Sequence, residues 1–154
     1  MPHKKTSAEL QERGQILYRR KDYSKAVEAF SEAIESEPNL TVSLLDNRAA
    51  AYDKLGDVTA ALKDAKSAIR LREKDSTGYL RAGKLLQKAG KPDVALGIYK
   101  LGMRKVVRNF DVLHRLHDAL LRSTAPPTAA DPFAQLPLEL VEMVLAHLNF
   151  RQIV

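Results

Sequence analysis

Three segments of this chain repeat one pattern at a fixed spacing, and that repetition constrains the fold more than any other feature. They superimpose when Gly14, Ala49 and Gly83 are aligned. The first is SAELQERGQILYRRKDYSKAVEAFSEAIESEP, the second VSLLDNRAAAYDKLGDVTAALKDAKSAIRLRE, and the third STGYLRAGKLLQKAGKPDVALGIYKLGMRKVV. A large residue (Leu10, Leu45, Tyr79) precedes each small one by four, and another (Leu17, Tyr52, Leu86) follows by three. An alanine (Ala26, Ala61, Ala95) recurs twelve positions on. A ring comes four residues later in Phe30 and Tyr99, with Ala65 the exception, and a further small residue follows (Ala33, Ala68, Gly102).

Spacings of three, four and seven are helical, not strand-like. Each segment is broken once by a polar turn: RRKDY, KLGDV or KAGKP. Each therefore predicts a helix hairpin. Small residues let helices approach closely, and large ones fill the space between hairpins. The run Ala49, Ala50 and Ala51 marks where the second hairpin's first helix is crowded on both sides.

The 34-residue period with its small–large–small order resembles the tetratricopeptide repeat (TPR). The predicted fold is an all-α, right-handed α-solenoid of three TPR hairpins, over 7–40, 42–75 and 76–107, after a disordered 1–6. Pro38 stands where that family often ends a repeat; Glu73 and Val107 occupy the same place in the other two. Next, NFDVLHRLHDALLRS carries Phe110, Leu113, Leu116 and Leu120 on one helical stripe. An array needs a terminal helix over its last open face, so 108–123 is predicted to cap it. The prolines of TAPPTAADP then make 124–132 a linker.

The last stretch, DPFAQLPLELVEMVLAHLNFRQIV, predicts a short separate helix starting near Pro137. A short helix this apolar must dock on something. Leu-Pro, then Glu, then an apolar helix ending in HLNF resembles the opening of an F-box over 133–154, and the chain is expected to be cut from a longer protein. That resemblance implies contact with a small Skp-type adaptor through Leu136, Pro137, Leu140, Val144, Leu145 and Leu148. TPR followed by F-box is similar to a fungal family in which leucine-rich repeats follow. It implies a non-catalytic substrate receptor of an SCF-type ubiquitin ligase, nuclear, near replication forks or chromatin.

In a helical array the first helix of each hairpin lines the inner face. The residues placed there are Gln11, Gln15, Tyr18 and Arg19; Asp46, Asn47, Ala50 and Lys54; and Thr77, Leu80, Arg81, Lys84 and Lys88. Asp111, His114 and Arg115 extend that face. The third-repeat end reads as basic, which suits an acidic or carboxylate-bearing partner.

DNRAAAY and GYLRAGK also resemble co-chaperone TPRs, whose groove grips the terminal carboxylate of a chaperone tail. That clamp takes a Lys and an Asn from the first helix, an Asn from the third, and a Lys and an Arg from the fifth. Asn47 and Arg81 match it, whereas Gln11, Gln15 and Thr77 replace the others. With two cations gone, a carboxylate clamp is expected to fail, since each charge-assisted bond contributes about 1.5–3 kcal/mol. A co-chaperone-type adaptor with no part in ubiquitination is the alternative reading.

Other chemistries find little support. There is no cysteine, which excludes disulfides, thiolate metal sites and a cysteine nucleophile and suits a reducing compartment. His114 and His117 are three apart, but no further ligand converges on them, so no metal or other cofactor is expected. The net charge of +6 and the runs RRK and KVVR come with no aromatic platform, so nucleic acid is not the expected partner. No nucleophile elbow or glycine-rich phosphate loop occurs, so no catalytic residue is expected. MPHKKTSAEL has no apolar core and reads as no secretory signal. No apolar run nears the roughly 20 residues that cross a bilayer.

Overall fold

The computed structural model describes residues 3–106 and 110–124. They form α1 (Ser7–Arg19), α2 (Tyr23–Ser36), α3 (Val42–Leu55), α4 (Val58–Leu71), α5 (Ser76–Lys88), α6 (Pro92–Lys105) and α7 (Phe110–Thr124). There is no strand among the described residues. The F-box-like stretch, with Leu136, Pro137, Leu140, Val144, Leu145 and Leu148, lies outside them.

Local chemistry starts each helix. Thr6 and Glu9 form a capping box: Thr6 Oγ1 accepts from the Glu9 N–H at 3.2 Å, and Glu9 Oε2 accepts from the Thr6 N–H at 2.7 Å. Asp22 and Asp57 cap the second helices of the first two hairpins through their side chains. In the third hairpin Lys91 holds that place without a side-chain cap, and Pro92 in the first turn supplies a pre-set φ instead.

Three helix pairs, α1–α2, α3–α4 and α5–α6, pack as hairpins, and each packs on the next. The odd-numbered helices also touch in series, α1 to α3, α3 to α5 and α5 to α7. No such contact links α2 to α4 or α4 to α6. Closer spacing along the odd row makes it the inner wall of the array.

Size compensation holds the hairpins together. A Cβ added to Gly14 would lie 2.5 Å from the Phe30 ring, and one on Gly83 would run into the Tyr99 ring. In the second hairpin the corresponding residues are Ala49 and Ala65, buried in one cluster. So glycine accompanies a ring in two hairpins, and alanine accompanies alanine in the other. The same trade recurs at the next position. Leu10 clusters with Ala33, and Leu45 with Ala68. The larger Tyr79 meets Gly102, where a Cβ would lie 2.9 Å from the Tyr79 Cβ.

The alanine run serves three neighbours. Ala49 is buried in the cluster that joins the second and third hairpins, and Ala51 is buried with Ala26 and Phe30. Ala50, half-buried, borders the inner face. The last helix covers the array's end: Leu113 is fully buried, Leu120 is buried, and Leu116 and Leu121 pack beside them.

Candidate functional site

A cleft of about 320 Å³ opens on the inner wall, lined by Gln15, Tyr18, Arg19, Phe30, Asn47, Ala50 and Arg81. Helix α1 supplies three of these residues, α3 two and α5 one, with Phe30 of α2 as the floor. Tyr18 is steadied by the edge of the Tyr23 ring, with centroids 5.3 Å apart. Arg19 is exposed, while Gln15, Asn47 and Arg81 are half-buried.

Polar contacts join the odd helices. Gln11 Nε2 donates to Ser43 Oγ at 3.1 Å, linking α1 to α3. Arg81 donates from Nε to Asp46 Oδ1 at 2.7 Å and from Nη2 to Asp46 Oδ2 at 3.1 Å, linking α5 to α3. Two turns further along, Lys88 Nζ donates to Asp53 Oδ1 at 2.6 Å. The Asp46 carboxylate holds the Arg81 guanidinium above the ordinary arginine range, against the opposing effect of burial.

These pairs change the charge of the third-repeat end. The reading of that end as basic counted Arg81 and Lys88, yet each already faces a carboxylate. Lys54 and Lys84 are exposed and border no part of the cleft. Thr77 and Leu80 are half-buried, and Leu80 packs partly on the core. On α7, Asp111, His114 and Arg115 are exposed.

One donor in the cleft wall stands out. The side-chain nitrogen of Asn47, Nδ2, is buried and has no hydrogen-bond partner among the described residues. A buried amide donor left unmade costs on the order of 1–3 kcal/mol, so an acceptor brought to it would bind favourably.

Sequence reading missed Asp46 and Asp53 as partners of the groove cations. The signal was present: two acids seven apart on α3, and two bases seven apart on α5, both offset by 35 residues. That offset is the repeat period plus one. It also missed Arg48, whose guanidinium turns away from the cleft towards Asp64 and Ser31.

His117 Nδ1 lies 3.2 Å from Asp118 Oδ1 on the capping helix. Among the described residues no group of three or more His, Asp or Glu side chains is placed to hold a metal. No described helix is long and apolar enough to cross a membrane.

Residues 7–40 and 42–75 each match a family described as the tetratricopeptide repeat. The F-box/TPR repeat protein pof3 of Schizosaccharomyces pombe is 36% identical over 153 residues, which is 94% of this chain and 26% of that one. Hsp70-Hsp90 organizing protein 3 of Arabidopsis thaliana is 35% identical over 105 residues, 68% of this chain and 19% of its own length. The chain thus spans about a quarter or less of these relatives. Among solved structures, the first TPR of Spaghetti (RPAP3), bound to an HSP90 peptide SRMEEVD, superimposes with a TM-score of 0.67. It is 21% identical and covers 79% of this chain and 97% of that one. With two repeats matched and a third hairpin built alike, the described part of the chain is a tetratricopeptide-repeat array, a scaffold for protein–protein interaction.

Proposed function

We propose that this array is the partner-binding arm of an F-box-type substrate receptor, and that its inner cleft holds an extended segment of the partner. The observation that carries the receptor reading is the reach of the similarity to pof3. It runs over 94% of the chain, against 84% and 86% for the STIP1 and sti1 homologues and 68% for the Hsp70-Hsp90 organizing protein. The F-box resemblance of 133–154 supports the same reading. In this reading those residues take a Skp-type adaptor, the array tethers the ligase to its substrate or anchoring partner, and the chain contributes no catalytic group. A nuclear site of action near replication forks or chromatin belongs to the same reading.

The co-chaperone-type adaptor is the second reading. The solved TPR that carries the HSP90 peptide SRMEEVD shares the fold, and relatives include an Hsp70-Hsp90 organizing protein. Asn47 and Arg81 stand at matching clamp positions. Against it, Arg81 is already engaged by Asp46.

Two measurements separate them. Co-purification of a Skp-type adaptor with a chain extended past Val154 supports the receptor. Failure of that association, together with tight binding of a carboxylate-terminated chaperone peptide, supports the adaptor. In either case Gln15→Ala with Asn47→Ala should release the partner captured by the unsubstituted chain while leaving helicity intact. Undiminished capture would rule out the cleft as the binding site.

A further inference from the structure

Two side chains in this cleft are in opposite states. The cation, Arg81, has its demand met by a bidentate carboxylate, with both side chains about three-quarters buried at 25% exposure. The neutral donor, Asn47 Nδ2, has no partner among the described residues. Both line the same opening.

We propose that Asp46 acts as a built-in carboxylate that closes Arg81 to an incoming one. The groove then accepts an internal peptide segment through its backbone, at Asn47, and discriminates against a free C-terminus. This deepens, and rests on, the reading that the cleft holds a partner's peptide.

An incoming carboxylate at Arg81 must either approach Asp46, a like charge, or displace it. Displacement strands a half-buried Asp46 without its counter-ion, and a buried charge stripped of its partner is strongly unfavourable. A peptide carbonyl carries no net charge and meets neither obstacle. Asn47 Nδ2 has no existing bond to give up, and a turn of its side chain toward the cleft it lines brings that donor to the carbonyl. The next cation on this wall, Lys88, is engaged in the same way by Asp53. Arg19 remains at the exposed rim, where water and salt screen its attraction for a carboxylate.

The test measures fluorescence anisotropy with an acidic heptapeptide in two forms, one with a free C-terminal carboxylate and one amidated. The unsubstituted chain should bind the amide form at least as tightly as the acid form. Asp46→Ala should strengthen binding of the acid form about tenfold or more and leave the amide form unmoved, since a freed guanidinium gains a charge-assisted bond. Asp46→Ser is the second variant should the alanine chain fold poorly, and the same gain is expected. Adding Arg81→Gln to either should erase it. Asp53→Ala, which frees Lys88 outside the cleft, should produce no acid preference.

A preference of about tenfold for the acid form in the unsubstituted chain would overturn the proposal, and that comparison needs no variant to fold. So would an unchanged acid-to-amide ratio in an Asp46 variant with native helicity. If partner capture is still lost with Gln15→Ala and Asn47→Ala, such a result removes the role of Asp46 alone. If capture also survives those substitutions, the peptide-binding reading fails with it.

Discussion

Arg48 holds Asp64 through two parallel bonds of 2.8 Å, from Nε to Oδ2 and from Nη2 to Oδ1. Its third nitrogen, Nη1, donates to Ser31 Oγ at 3.1 Å, so one side chain of α3 ties α2 to α4. Asp64 is the one buried charged residue among those described. At the corresponding place the other hairpins carry the buried Ala29 and Ile98. Opposite Ile98, the third hairpin has Ala82 where the second has Arg48. Removing one member of such a pair strands the other, so Asp64→Ala should cost about 3–5 kcal/mol. Arg48→Ala with Asp64→Ile copies the third hairpin and should cost far less than the single change. Urea denaturation of the two variants checks this; equal losses would mean that the pair is not what joins the helices.

Gly83 and Tyr99 test the size trade. A methyl group at Gly83 meets the tyrosine ring, so Gly83→Ala should lose about 1–3 kcal/mol through overpacking, despite alanine's better helix propensity. Tyr99→Ala alone should lose about 3–5 kcal/mol by leaving a cavity. The double variant reproduces the Ala49 and Ala65 combination of the second hairpin. Its loss should fall short of the sum of the single losses by about 1 kcal/mol or more, measured as a double-mutant cycle. Strict additivity would mean that the two sites do not share their space.

These relationships divide what the sequence discloses from what it conceals. Helices, hairpins and the inner row follow from spacings of three, four and seven, because one 3.6-residue period governs both burial and repetition. Six residues placed on the inner face (Gln15, Tyr18, Arg19, Asn47, Ala50 and Arg81) come together around one cleft. Their charge balance was not legible residue by residue. An aspartate such as Asp46 reads as a solvated side chain until the helix that carries Arg81 is laid beside it. Asp64 deceives for the reverse reason: a charge at a core position breaks the apolar pattern, and only its partner on α3 explains it. The F-box resemblance of 133–154 rests on sequence alone, outside the described residues.

The three hairpin turns share a left-handed residue. Gly56 and Gly90 have φ of 83° and 72°, and the equivalent residue of the first hairpin is Lys21, with φ of 64°. Side chains other than glycine's pay roughly 1 kcal/mol or more in that conformation. Lys21→Gly should therefore stabilise the chain by about 1 kcal/mol, less what the added freedom of the unfolded chain takes back. Gly56→Lys should destabilise it by a similar amount. Thermal melts of both variants give the answer, and a fall in Tm for Lys21→Gly would count against the strain.

Tyr99 makes the array's stability depend on alkaline pH. Burial pushes its phenol up to about 12 from an ordinary value near 10, and its hydroxyl has no hydrogen-bond partner among the described residues. The folded chain therefore keeps this proton at pH values where the unfolded chain has released it. The associated stability is whole below pH 10 and is lost as pH rises through the folded value, about 12. The window is worth at most about 3 kcal/mol, from two pH units at about 1.4 kcal/mol each. Tyr99→Phe removes both the ionisable proton and the unpaired hydroxyl. It should gain on the order of 1 kcal/mol at neutral pH and lose less stability between pH 10 and 12 than the unsubstituted chain. The comparison is the difference between the two chains in denaturation curves at matched pH. Parallel curves would show that Tyr99 ionises as readily folded as unfolded, and that water reaches the hydroxyl.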